Sequence, residues 1–296
     1  MTDWITITSG TLTARINPLG AELSSLTDAD GRELMTAAEP SHWQGRAPIL
    51  FPIVGRLNGD VLRVDGREYP MKQHGFARRS MFEMVDAGED RAVFRLSDSA
   101  ETRAIYPFAF RLDVAFTVSE STLDVAVTIG NPGDVPLPTS FGFHPAFAWP
   151  LPFGAPREAH WIGFEKEEPA PIQRLDSGLF AGERASPIDG VFLNLTDELF
   201  ADDALVWFHP ASSRVIYSGT KGAQLHIDFP DTPYLGIWSQ PAARFVCVEP
   251  WHGHADPVGF TGEFRDKPGV FEIAPGGEKR VGMSVTLVAE PEPLHP

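Results

Sequence analysis

Thr122-Leu123-Asp124-Val125-Ala126-Val127-Thr128-Ile129 alternates apolar residues with small or polar ones. A period of two is the strand signature, and it puts Leu123, Val125, Val127 and Ile129 on one face with Asp124, Ala126 and Thr128 on the other. The same alternation recurs in Trp4-Ile5-Thr6-Ile7-Thr8, Leu12-Thr13-Ala14-Arg15-Ile16, Leu112-Asp113-Val114-Ala115-Phe116, Leu225-His226-Ile227-Asp228-Phe229 and Met283-Ser284-Val285-Thr286-Leu287. Between such runs the turn residues are dense, with 27 Gly and 27 Pro in the chain. Asp30-Gly31, Asn131-Pro132-Gly133 and Pro275-Gly276-Gly277 supply positive φ or a fixed φ where the chain must reverse. Many short strands at close spacing predict an all-β fold, a large antiparallel β-sandwich.

Asn58-Gly59-Asp60 and Asp65-Gly66-Arg67 flank Val61-Leu62-Arg63-Val64 and predict consecutive hairpins. Helical pattern is scarce: Asp98-Ser99-Ala100-Glu101 is expected to cap one short turn, with Asp98 as N-cap, before Pro107. The stretch 164–187 reads as an excursion over one end of the sandwich, and 158–190 as a wall of a pocket. The tail from Glu290 to Pro296 is expected to be extended or disordered. No linker interrupts the chain, so residues 1–296 are read as one domain.

With 296 residues, 43% of them hydrophobic, the chain is long enough to bury a sizeable core. Its formal charge of -16 repels phosphate backbones and anionic lipid, so neither nucleic acid nor a membrane is an expected partner. Met1-Thr2-Asp3-Trp4 lacks the basic and apolar regions of a signal peptide, and no apolar run is long enough to span a bilayer. The single cysteine, Cys247, has no intrachain partner for a disulfide, which suits a reducing, cytoplasmic setting. In Phe245-Val246-Cys247-Val248 it reads as a packed strand residue.

Three segments place a titratable side chain among rings, Gly and Pro: Gln73-His74-Gly75-Phe76, Phe141-Gly142-Phe143-His144-Pro145-Ala146-Phe147 and Val248-Glu249-Pro250-Trp251. If the second is a strand, His144 shares a face with Gly142 and Ala146, leaving room for a ligand beside the imidazole. Glu249 ends an apolar run, where an unpaired carboxylate is costly to bury. Two imidazoles and a carboxylate are the groups that move protons on a sugar. Trp251 and Phe143 offer ring faces for a pyranose. Trp251-His252-Gly253-His254-Ala255-Asp256 holds three potential ligands but no second cluster and no cysteine pair, so it reads as a surface turn, and no metal or other cofactor is expected.

These segments, in order along the chain, resemble the aldose 1-epimerase (galactose mutarotase) family, and within it the branch of LacX-like proteins and hexose-6-phosphate mutarotases. The resemblance is carried by Pro48-Ile49-Leu50-Phe51-Pro52-Ile53-Val54-Gly55-Arg56-Leu57, His74-Gly75-Phe76-Ala77-Arg78, Tyr106-Pro107-Phe108, Asn131, Pro138-Thr139-Ser140-Phe141-Gly142-Phe143-His144-Pro145-Ala146-Phe147 and Val248-Glu249-Pro250-Trp251. It implies a sandwich with a sugar pocket on its concave face and cofactor-free interconversion of α and β anomers of a hexose or hexose phosphate. It further implies Glu249 as general base, His144 as general acid, His74 as a hydrogen-bonding partner near the reacting centre and Arg56 as a substrate-binding arginine. The family's sugar-binding aspartate matches Asp189, with Asp203 the second choice. Arg56, Arg78 and Arg79 together offer contacts for a phosphate. The alternative is a carbohydrate-binding sandwich without catalysis; the sequence leaves the sugar and the oligomeric state open.

Overall fold

A computed structural model describes residues 4–289; Met1 to Asp3 and the tail expected over Glu290 to Pro296 lie outside the described residues. Two antiparallel sheets dominate. The larger has nine strands in the order Phe192–Asn194, His160–Phe164, Arg214–Gly219, Gln224–Asp228, Glu278–Val288, Thr122–Gly130, Arg111–Ser119, Arg91–Ser97 and Glu83–Ala87. Strands from the middle and the end of the chain are therefore neighbours. The alternating stretch 122–129 sits inside this sheet, with Val127 opposite Val114 on one side and Val281 on the other. Its apolar residues are buried and Asp124 and Ala126 are not, as a period of two requires.

The second sheet runs Phe141–Gly142, Phe245–His252, Tyr234–Trp238, Leu205–Phe208, Ile172–Asp176 and Leu179–Arg184, and Ala146–Ala148 also pairs with Phe245–Cys247. Its inner face packs on the nine-stranded sheet: Val246, Val248, Leu235 and Ile237 share one buried cluster with Leu123, Val125, Val127 and Ile129. Each such side chain contributes roughly 1.5–3 kcal/mol by leaving water. A smaller sheet, Ile5–Ser9, Leu12–Asn17 and Glu22–Thr27, adds its apolar residues to the same core.

Alternation along Phe245–His252 decides what the other face carries. With Val246 and Val248 turned into the core, Phe245, Cys247, Glu249 and Trp251 point the opposite way. That face is covered: Phe245 and Cys247 pack with Ala146 beneath Trp43 and Trp238, and Trp251 packs with Phe180, Ala204 and Val206.

Several local expectations change. The hairpin Val61–Val64/Arg67–Pro70 forms around Asp65-Gly66, both with positive φ, but Asn58–Asp60 is a 3-10 turn and not a second hairpin. The short helix is Ala100–Arg103, capped by Ser99, whose hydroxyl accepts from the Thr102 N–H while Thr102 reaches back to the Ser99 N–H. Asp98 pairs instead with Arg103. The excursion after Phe164 contributes two strands, Ile172–Asp176 and Leu179–Arg184, that extend the second sheet. Finally, the stretch from Gly253 to Asp256 is not a surface turn: His254, Ala255 and Asp256 are buried.

Candidate functional site

On the covered face lies a cavity of about 340 Å³, within the range of roughly 300–1,000 Å³ usual for small-molecule sites. His144 and Glu249 form part of its wall, His74 and Arg78 another, and Trp251, Trp238 and Trp43 supply ring surface. The hairpin 172–184 closes one side through Leu175, Gly178 and Phe180.

Two strands deliver the reacting pair. Glu249 stands on Phe245–His252, opposite Gly236 in the next strand. His144 occupies the break between Phe141–Gly142 and Ala146–Ala148, which both pair with that same strand. Phe141 and Phe143 turn into the core, 4.9 Å apart, so His144 is left facing the carboxylate. His144 Nε2 lies 3.2 Å from Glu249 Oε2, and the two residues are 7% and 2% exposed.

Trp251 can lie flat between two strands because both flanking positions lack a side chain. A Cβ on Gly142 would sit 2.6 Å from Trp251 Cδ1, and one on Gly236 2.7 Å from its six-membered ring.

His74 is held by backbone geometry. Its φ is +64° and that of Gly75 is +69°; a Cβ on Gly75 would fall on the Phe51 carbonyl oxygen. His74 Nδ1 accepts from the Gly55 N–H at 3.1 Å, so the neutral ring carries its proton on Nε2. The His74 and His144 rings meet edge-on, 5.7 Å between centroids.

Burial controls the charge states. Glu249 is pushed well above the usual carboxylate range by burial and by the negative charge of Asp203. The Trp251 indole N–H lies near enough to oppose this without meeting hydrogen-bond geometry. Burial drives His144 below the usual imidazole range, and His74 the same way, aided by His144, Arg78 and Arg79. In a dry wall both partners of the pair favour their neutral forms. His144 Nδ1 and Trp251 Nε1 are buried without a hydrogen-bond partner.

Of the residues expected from the sequence, His74, His144, Glu249 and Trp251 converge on this cavity. Asp189 does not. It is exposed, in a turn closed by its N–H to the Phe192 carbonyl, whereas Asp203, at the cavity mouth, is among the lining residues. Arg56 does not line the cavity either: its guanidinium is engaged by Asp60 at 2.8 and 2.9 Å and by the Ser177 carbonyl. The arginine that faces in is Arg78, which has no ion-pair partner among the described residues and donates only to the Gln73 carbonyl at 3.3 Å. Arg79 lies outside the lining, and Phe143 belongs to the core. Trp43 and Trp238 were not anticipated. Trp238 was readable as the last even-numbered position along Tyr234–Trp238, opposite Cys247, while Trp43 sits in an aperiodic loop that offers no signal.

His252, His254 and Asp256 do not converge on a common point. His252 packs on Phe271 and His254 stacks on Phe208, 4.6 Å between centroids. The one group of three potential metal ligands among the described residues is His144, Cys247 and Glu249, whose ligand atoms lie within 4.8 Å of one another.

The sequence matches the family described as aldose 1-epimerase over residues 3–271. The LacX protein encoded on a plasmid of Lactococcus lactis subsp. lactis is 29% identical over 289 residues, covering 94% of this chain and 97% of that protein. Among solved structures, a galactose mutarotase related enzyme from Lactobacillus acidophilus superposes with a TM-score of 0.92 at 31% identity over 99% of both chains. A galactose mutarotase-like protein from Lactobacillus casei gives 0.88 at 30%, covering 96% of this chain and 99% of that one.

Proposed function

The chain belongs to the aldose 1-epimerase family, and on that premise we propose that it interconverts the α and β anomers of a hexose without a cofactor, with Glu249 as base and His144 as acid. The observation that carries this reading is the carboxylate and imidazole side by side, 3.2 Å apart, in the wall of a cavity edged by tryptophans.

Both reacting oxygens of a pyranose, the anomeric hydroxyl and the ring oxygen, are bonded to the same carbon. Adjacent groups on one wall therefore reach both. Once the Glu249 proton has passed to His144 across their 3.2 Å contact, the carboxylate takes the hydroxyl proton while the imidazolium gives its own to the ring oxygen, the C1–O5 bond breaks, and the aldehyde rotates. On closure the roles reverse: the imidazole recovers the proton from the C5 hydroxyl and the carboxyl returns its own to the new anomeric hydroxyl. Groups shifted towards neutrality by burial exchange protons at little cost, and each contributes typically ~10²–10⁴-fold. His74 donates from Nε2 to the sugar beside His144, and Asp203 accepts from hydroxyls at the mouth. Trp251 and Trp238 cover the apolar ring face. Residues 1–296 act as one domain in this reading, supported by the pairing of 122–130 with 278–288.

The test is anomer exchange followed by polarimetry or NMR. His144→Ala and Glu249→Gln are each expected to lose it while still binding sugar; exchange at the unaltered rate in either variant overturns the assignment. A sugar that perturbs resonances without faster exchange in the unaltered protein would instead establish a binding protein. A second reading, a phosphorylated hexose as substrate, is favoured by Arg78 alone: a half-buried guanidinium facing the cavity without a carboxylate partner. Inhibition by inorganic phosphate, lost in Arg78→Met, separates the two.

A further inference from the structure

Cys247 is the chain's single cysteine and plays no part in the reaction above. It stands two residues before Glu249 on the same face of the same strand, and its strand partner Ala146 is two residues past His144. We propose that His144, Cys247 and Glu249 form an inhibitory site for a thiophilic divalent cation of the Zn²⁺ or Cd²⁺ type, bound at the reacting end of the cavity.

The ligand set fits that class. Imidazole nitrogen, thiolate sulfur and carboxylate oxygen are the donors such ions take in tetrahedral geometry, with bonds of about 2.0–2.3 Å and hence donors about 3.2–3.8 Å apart. Here the donor atoms already lie within 4.8 Å of one another, and the nitrogen–oxygen pair at 3.2 Å. Small side-chain rotations complete the contraction. His144 and Glu249 line the cavity while Cys247 is buried outside its lining, so the ion would enter from the cavity side, where a water or sugar oxygen would complete the shell. Magnesium and calcium are not expected to compete, since they take oxygen donors in larger number.

Occupation must inhibit. The lone pairs that hold the ion on His144 Nε2 and the Glu249 carboxylate are those that hold protons during ring opening. Coordination releases the Cys247 thiol proton, and the Glu249 proton where it is present, to solvent; no redox step is involved. Binding therefore weakens as pH falls. The thiol is buried, covered by Trp43 and Trp238.

The functional arm rests on the mutarotase reading; the binding arm does not. Cadmium is titrated into the full chain, reading the ultraviolet thiolate-to-cadmium band in parallel with anomer exchange. With one cysteine in the chain, that band has one source. The expected result is a band saturating at one cadmium per chain, exchange lost in step with it, and both effects reversed by EDTA. Cys247→Ser is expected to keep its exchange rate, to show no band, and to resist cadmium by more than the roughly 10–100-fold that loss of an outer-shell partner costs a metal site. Cys247→Ala serves the same purpose if the serine variant does not fold. Absence of the band in the unaltered protein, or equal inhibition of the unaltered and Cys247-substituted proteins, overturns the proposal. If the metal-free protein shows no exchange with any sugar, the mutarotase reading fails, yet the band and its weakening in Glu249→Gln still decide the site.

Discussion

Glu249 and His254 are close neighbours on the chain, yet the two groups of buried ionisable side chains to which they belong are compensated in different ways. His144 and Glu249 face a cavity, pressed against aromatic rings, with His144 Nδ1 unpartnered and no cation beside the carboxylate except what the imidazole can provide. His254, Asp256 and Lys267 are buried outside the cavity lining and are built into the frame. His254 Nδ1 donates to the Ala255 carbonyl at 2.7 Å, and Lys267 donates to the His254 carbonyl and sits 3.9 Å from Asp256 Oδ1. Asp256 Oδ2 accepts from the Asn58 N–H at 2.7 Å, while its main chain joins Arg56 and Phe180. Burial costs both groups; in the second most of the polar atoms meet fixed partners, although Asp256 Oδ1 has no hydrogen bond and only the Lys267 charge at 3.9 Å. The difference teaches which cluster is available for chemistry: the one whose proton positions are left open.

Breaking either cluster should therefore hurt in a different currency. The largest effect is expected from Glu249→Gln, which should lower anomer exchange by about 10²–10⁴-fold and yet raise stability. Because the folded pKa of Glu249 lies above its unfolded value, its contribution to stability is full at low pH and is lost as pH rises through the folded pKa. The amide removes that loss at neutral pH, and each kcal/mol relieved adds about 2–4 °C to Tm by calorimetry. Next, Lys267→Ala should leave Asp256 buried and unpaired, costing about 3–5 kcal/mol in urea unfolding. If its stability were unchanged, the frame would not depend on that pair.

A pH series sharpens the comparison further. His254 is held down to about 3 and His252 to about 4, both chiefly by burial. Depressed pKa values mean that their contribution is present above the unfolded value near 6.5 and is lost as pH falls from there towards about 3–4. Unfolding free energy should drop across that window, and His254→Phe, which keeps the ring stack on Phe208, should flatten the slope. The smallest effect is expected from Asp203→Asn. Removing that negative charge should lower the Glu249 pKa, shift the acid limb of the activity profile to lower pH and, by the same linkage, raise stability slightly at neutral pH; an unmoved limb would deny Asp203 its influence.

How much of this was legible follows from the physics of each element. The strand 122–130 and its partners were readable because burial on one face of a sheet writes itself as alternation. The same rule put His144 and Gly142 on one side and Phe141 and Phe143 on the other, across a break in the strand that the pattern does not reveal. It did not identify the cavity arginine: Arg56 and Arg78 have equivalent chemistry, and only the carboxylate of Asp60, reached through a 3-10 turn, removes the first from the site. Nor could it choose Asp203 over Asp189, since both follow irregular chain in similar company. The buried course of 253–256 was hidden because polar residues are buried there beside Lys267, brought back by an irregular loop whose path the local pattern does not reveal.

Short-range pattern was enough for the sheets and for the faces of their strands, and it marked two imidazoles, a carboxylate and Trp251 as candidates. Those features depend on neighbours one or two residues away, so a linear text records them. That the candidates belong to one site came from the order of motifs shared with the aldose 1-epimerase family. Folding alone decided that Trp43, Arg78 and Asp203 crowd around the same place while Arg56 and Asp189 do not. Convergence of that kind is set by loop paths and by competing ion pairs between segments far apart in the chain, and residue order carries no imprint of either.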